Sequence, residues 1–198
     1  MLPGFASQVQ IAYARWVPSR PVGTFYSADV VQKLRRELAR ADFEKRFPHL
    51  WLIRHLDEDE RPPSTFNAVA WDTKPVEHAG KVPGNVLLSA RLRGDPQHYG
   101  LHPVVKQAKV WSDQILVGRA LNNDVIFRHE SVSKLHAYFR LRRDIEWLLY
   151  DANSANGTTI DGARIPDDEG VPVRSGSIVL FGHLPIEVIG SGELFEAL

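Results

Sequence analysis

The chain of 198 residues contains no cysteine and only one methionine. Without cysteine, disulfides, thiolate catalysis and Cys-ligated zinc are excluded, and the composition suits a reducing compartment. Long apolar runs are missing too: no segment reaches the roughly 18 apolar residues that a transmembrane helix needs. Met1-Leu2-Pro3-Gly4 begins a stretch with no basic region and no apolar core, so no secretion signal is expected. The chain therefore reads as soluble and cytoplasmic. It also lacks net charge, with 24 basic residues against 24 acidic ones. No global field draws it to nucleic acid or to a membrane, and neither is expected as a partner. The halves differ slightly: residues 1–100 carry 14 basic and 11 acidic side chains, residues 101–198 carry 10 and 13. That asymmetry is too small to name a partner.

Signatures of catalysis are also scarce. No phosphate-cradling glycine loop and no nucleophile elbow occurs. Of eight histidines, only His98 and His102 stand four apart, and Gly100 and Pro103 rule against a metal-binding helix there. Asp57 to Glu60 lie beside Pro62 and Pro63 and read as a solvated loop. No enzyme, cofactor or metal is expected, although an activity hidden in the first 83 residues remains the contrary class.

What is present divides in two. Hydrophobic residues make up 43% of the chain, enough for one large core or two small ones. Residues 1–83 form an N-terminal region of unknown role, α/β or partly irregular. Ser27 can cap an amphipathic helix over about 28–47, with Val30, Val31, Leu34, Leu38 and Ala41 on one face and Pro48 as its stop. Leu50-Trp51-Leu52-Ile53 reads as a buried strand. The boundary is placed near residue 84, where Pro83 and Gly84 end a mixed stretch.

From 84 to 198 the pattern is different. Short apolar or alternating runs recur at 86–92, 104–111, 114–118, 124–127, 137–142, 145–150, 158–160, 163–165, 171–173, 177–182 and 184–189. Turn residues such as Asn156-Gly157, Asp161-Gly162 and Ser175-Gly176 separate many of them. Such spacing predicts an all-β sandwich or barrel. Its core would take Ile115, Val117, Ile126, Phe139, Trp147, Leu149, Ile178 and Leu180.

One constellation stands out within this half. Gly118-Arg119 is followed by Ser133-Lys134-Leu135-His136 and then by Asn156-Gly157-Thr158. Arginine presents a planar fork of donors that never loses its charge, serine a short hydroxyl and a backbone N–H, and asparagine both acceptor and donors. That set suits a phosphorylated side chain, with its charge near −2 and three acceptor oxygens, on an extended peptide. If 137–142 and 145–150 form an antiparallel hairpin, the loops carrying Ser133 and Asn156 leave one end of the sheet. Strand parity sends Arg119 to the other end, and the sequence leaves its place open. Asn156-Gly157-Thr158 also fits a glycosylation acceptor, which loses its force without a secretion signal.

The stretch from Ile115 to Phe139, together with DANSANGTTIDG at 151–162 and Ile178-Val179-Leu180-Phe181-Gly182, resembles the forkhead-associated (FHA) domain. The resemblance covers roughly residues 84–190. It implies a β-sandwich of about eleven strands whose loops at one end bind phosphothreonine, with Arg119 among them. Arg119 and Ser133 would hold the phosphate, Lys134 would assist, and Asn156 would bind the peptide main chain. Gly118, His136 and Gly157 would shape the loops. The implied partner is a phosphothreonine-containing protein, a Ser/Thr kinase or its substrate, bound by an adaptor or signalling module. A phosphate-independent scaffold of the same fold is the alternative. Two residues depart from the family pattern. Ala155 stands where Thr or Ser often donates to the phosphate, and Ser177 where Asp is usual. Thr65 and Thr73, if phosphorylated, are candidates to fill the site in cis or in another copy.

Overall fold

A computed structural model describes residues 25–47, 50–57, 87–106, 113–143 and 146–198. Two sheets form a sandwich. The larger takes the order β1-β3-β2-β12-β11-β8-β9 and the smaller β10-β7-β6-β4-β5. In the larger sheet these are β1 (Tyr26–Ser27), β2 (Leu50–His55), β3 (Tyr99–Pro103), β8 (Thr158–Ile160), β9 (Ala163–Arg164), β11 (Ile178–Phe181) and β12 (Leu184–Gly190). The smaller sheet holds β4 (Gln114–Gly118), β5 (Val125–Ile126), β6 (Ala137–Arg142), β7 (Glu146–Asp151) and β10 (Val171–Pro172). Three helices complete the described part: α1 (Ala28–Glu37), α2 (Arg40–Arg46) and α3 (Ser191–Ala197).

Alternation sets the core between the sheets. Ile115 and Val117 from β4, Phe139 from β6 and Leu149 from β7 meet Ile160, Val179, Phe181, Ile186 and Val188 of the larger sheet. On β11 the expectation is corrected by one residue: Val179 and Phe181 point inward, while Ile178 and Leu180 are only half-buried. Both phases of this apolar run look alike in sequence, so only the pairing partners decide which face is inside. Trp147 likewise packs at the edge of the core and is half-buried.

The outer face of the larger sheet carries a second core. Trp51 and Ile53 face Phe43, Phe47, Leu101, Ile189 and Leu194 there, while Leu50 and Leu52 face the inter-sheet core. Burial on both faces explains why β2 reads as an unbroken apolar run. It also joins the two halves of the chain, for β2 lies hydrogen-bonded between β12 and β3. The line drawn near residue 84 falls outside the described residues, and the larger sheet takes strands from both sides of it.

Some elements differ from the reading of the sequence. The single helix over 28–47 is two, because Ala39 is extended (φ −68°, ψ 153°) although nothing there forbids helix. The break turns Phe43 and Phe47 into the outer core and leaves Ala41 exposed. Pro48 lies outside the described residues, as do Thr65 and Thr73. The run at 86–92 contains a 3₁₀ turn at Leu88–Arg91 and no described strand, whereas β3 occupies a segment where Gly100 and Pro103 argue against regular structure. A Cβ on Gly100 would sit 2.9 Å from Leu56 Cδ2, so a larger residue there would have to push that side chain aside. The closing helix α3 was not expected. It docks on α2, with Phe195 5.4 Å from Phe43 ring to ring and Arg40 paired to Glu196.

Candidate functional site

Strand directions gather three loops at one end of the sandwich. β6 pairs antiparallel with both β4 and β7, and Ala137 lies opposite Val117 and Asp151. The loop entering β6 and the loop leaving β7 therefore emerge together, as the hairpin reading of 137–150 requires. Arg119 joins them because β5 runs parallel to β4. The chain after Gly118 doubles back through 119–124 and climbs again, so two crossings replace the one that parity assumed. Asp124, almost fully buried, anchors that return. Its carboxylate accepts the Leu116 N–H at 2.8 Å and pairs with buried Lys106 at 2.8 Å.

Hydrogen bonds then lock loop to loop. The Arg119 N–H donates to the Ser133 carbonyl at 2.9 Å, and Arg119 Nε donates to the Val132 carbonyl at 3.1 Å. The remaining guanidinium nitrogens have no partner among the described residues, and the side chain is exposed. Ser133 Oγ accepts the Ala155 N–H at 3.0 Å, which leaves its own proton free to donate. The Ser133 backbone N–H, counted as a second donor for phosphate, is already bound to His136 Nδ1 at 2.9 Å. Lys134 is exposed, and its carbonyl accepts from Asn123 Nδ2 at 2.7 Å. Asn156 Nδ2 donates to the Ser131 carbonyl at 2.8 Å, so its Oδ1 and second N–H stay available at the surface.

The loop-shaping residues have clear physical roles. A Cβ on Gly118 would lie 2.4 Å from the Lys134 carbonyl oxygen, so only glycine lets the two loops touch. Gly157 adopts φ +77°, a region that L side chains avoid. His136 is fully buried and spans the site from beneath, Nδ1 to Ser133 and Nε2 to the Gly157 carbonyl at 3.2 Å. An acceptor at Nδ1 and a donor at Nε2 define one neutral tautomer. Burial pushes the imidazole pKa down, against a smaller opposing effect of the Gly157 carbonyl and Asp151.

Two supports escaped the sequence reading. Asp151 ties down the 151–158 loop by accepting from the Ser154 N–H at 2.8 Å, Ser154 Oγ at 2.8 Å and Thr158 Oγ1 at 2.5 Å. Burial alone would raise its pKa, but these donors outweigh that and hold it below the ordinary carboxylate value. The Asp-x-x-Ser spacing, which suits an Asx turn, was the available signal. Ser131 is the other: besides holding Asn156, its Oγ accepts the His183 N–H at 2.9 Å and contacts His129 Nδ1 at 2.8 Å. Nothing in its sequence neighbourhood marks it.

Among the described residues no cluster of three or more His, Cys, Asp or Glu could hold a metal. His102 is buried within β3, whereas His98 ends a 3₁₀ turn. No described helix is long and apolar enough to cross a membrane.

No curated protein sequence matches the chain. Several solved structures resemble it. One is the FhaA FHA domain complexed with the intracellular domain of Rv3910, at 26% identity over 41% of this chain and 85% of that one, TM-score 0.35. The N-terminal FHA domain of S. cerevisiae Rad53p, solved with a phosphothreonine peptide, shares 17% identity over 50% and 90%, TM-score 0.39. FHA-1 of Mycobacterium tuberculosis Rv1747 shares 15% over 72% and 97%, TM-score 0.39. Residues 115–182, which hold all three loops of the cluster, match the family model of the FHA domain.

Proposed function

We propose that this protein is a phosphothreonine-dependent binding module, an adaptor acting downstream of a Ser/Thr kinase. The observation that carries the reading is the convergence of Arg119, Ser133 and Asn156 on one end of the sandwich, each loop bonded to the next and each side chain with polar groups to spare. Phosphate oxygens would meet the free edge of Arg119 and the Ser133 hydroxyl. Lys134 adds a mobile second charge. Asn156, with an acceptor and a donor exposed, suits one residue of extended peptide backbone. Prior fixing of the loops keeps the entropy cost of binding low. The partner is a phosphothreonine protein, the kinase itself or one of its substrates, met in the cytoplasm.

The test compares one peptide with and without phosphate on its threonine, by titration calorimetry, against wild type and Arg119→Ala. The phosphorylated form alone should bind wild type. Arg119→Ala should lose roughly 2–5 kcal/mol, the usual cost of leaving a desolvated charge unpaired. Equal binding of both peptide forms would instead identify a phosphate-independent scaffold.

A further inference from the structure

Beside the phosphate cluster lies a cation that none of its loops accounts for. Arg164 in β9 pairs across the hairpin with Thr159 of β8, and the Ile165 N–H donates to the Thr158 carbonyl at 2.9 Å. That pairing lets the Arg164 side chain reach back over the Asn156–Gly157 turn. A Cβ built on Gly157 would lie 2.6 Å from Arg164 Cζ and 2.7 and 2.8 Å from its two Nη atoms. Three such similar distances mean the guanidinium faces the glycine nearly flat. Its N–H edges therefore point along the surface, where a ligand passing Asn156 can meet them.

Arg164 is also unengaged. It is exposed, and no described residue gives it a hydrogen bond or an ion pair. Some exposed arginines are matched, Arg40 with Glu44 and Glu196 and Arg142 with Glu146, whereas Arg36, Arg46, Arg128, Arg143 and Arg174 share the unmatched state of Arg164 among the described residues. The loops of the cluster add exposed Arg119, Arg128 and Lys134, against exposed Glu130. The 165–170 connection, which leaves β9 for β10, brings exposed Asp167, Asp168 and Glu169 to the same end, so that end carries both signs of charge.

We propose that Arg164 is a second anion contact, which selects phosphothreonine peptides carrying an acidic group on the side that passes Asn156. The group is a carboxylate or a further phosphate, since both offer a pair of acceptor oxygens to which a guanidinium fork can donate. This rests on the phosphopeptide reading above. Gly157 then has two duties, to adopt a left-handed backbone and to leave room for this side chain.

The experiment uses the full chain and a phosphothreonine peptide series scanned with Ala, Glu or phosphoserine at each flanking position. Wild type should favour Glu over Ala at one side by roughly two- to five-fold, the range of exposed ion pairs, with phosphoserine at least as good. Arg164→Ala should erase that preference while binding the Ala-flanked peptide as before. Arg164→Glu should reverse it, and Arg164→Lys should keep part of it. Rising salt should shrink the preference. A preference that survives in Arg164→Ala, or no preference in wild type with phosphate dependence intact, overturns the assignment alone. Wild type that ignores the threonine phosphate overturns the phosphopeptide reading and this assignment with it. A gain with phosphoserine but not with Glu identifies a second phosphate as the group read.

Discussion

The backbone N–H of Ser133 ends on Nδ1 of His136 at 2.9 Å, deep beneath the loop that presents the Ser133 hydroxyl. Through Nε2 the same ring holds the Gly157 carbonyl at 3.2 Å, so one neutral imidazole fixes two loops of the site. Protonating Nδ1 would set two donors face to face and open that link.

A pH dependence follows. Burial lowers the pKa of His136 in the folded chain below its ordinary value of 6.5. Between those two values the unfolded chain binds more protons than the folded one. Stability must therefore fall as pH drops from the ordinary value towards the lowered one. Urea midpoints measured from about pH 7.5 to about pH 5 should decline in wild type and decline less in His136→Gln. Affinity for a phosphothreonine peptide should weaken over the same window. Parallel profiles for the two proteins would remove His136 from this role.

The backbone of Ala155 sits beside the Ser133 hydroxyl, because the Ala155 N–H donates to Ser133 Oγ at 3.0 Å. A hydroxyl at position 155 would stand next to the bound phosphate and could donate to it. Ala155→Thr or Ala155→Ser should strengthen phosphopeptide binding by about 0.5–1.5 kcal/mol, the net worth of one hydrogen bond. Since residue 155 is exposed, stability should hardly change. Calorimetry on both variants checks this, and unchanged affinity would place the phosphate away from residue 155.

Lys106 and Asp124 form a buried ion pair, with side chains 9% and 1% exposed. Lys106 Nζ also donates to the Gln114 carbonyl at 2.9 Å, so it braces the start of β4 as well as the return loop behind Arg119. Lys106→Met removes the Lys106 countercharge from buried Asp124 and should cost roughly 3–5 kcal/mol. Lys106→Met with Asp124→Leu should recover part of that loss, because no unpaired charge remains. Urea denaturation of both variants tests the ordering. A double variant less stable than the single one would contradict it.

How much of this site the sequence discloses depends on the link considered. Ser133 and Asn156 are brought together by hairpin parity, which needs only the alternation of 137–142 and 145–150. Arg119 is not, because a two-residue strand pairing parallel to β4 has no pattern of its own. The chemistry of Arg, Ser and Asn was visible, but the fate of each donor was not. The Ser133 N–H goes to His136 and one Asn156 N–H to Ser131, and both are tertiary facts. In the fold, Leu50-Trp51-Leu52-Ile53 announced itself as buried, while the place of β2 between β12 and β3 did not. Such pairings span many residues, so no local signal records them. Helix α3 had only Leu194 and Leu198, four apart, to mark its buried side.

Gly157→Ala separates the two duties of that residue. At φ +77° a Cβ strains the backbone, and about 1–2 kcal/mol of stability should be lost whatever the neighbours. The new methyl would also meet the Arg164 guanidinium, which is the far end of a flexible side chain and can swing away cheaply. Stability should therefore fall by nearly the same amount in wild type and in an Arg164→Ala background, giving a small coupling in a double-mutant cycle. Binding should behave differently. Swinging Arg164 aside should remove the preference for an acidic flank even though the arginine is still present, and in the Arg164→Ala background there is no preference left to lose. Urea midpoints and peptide titrations on the four proteins read both quantities. Retained acidic preference in Gly157→Ala would mean that Arg164 does not need the turn beneath it.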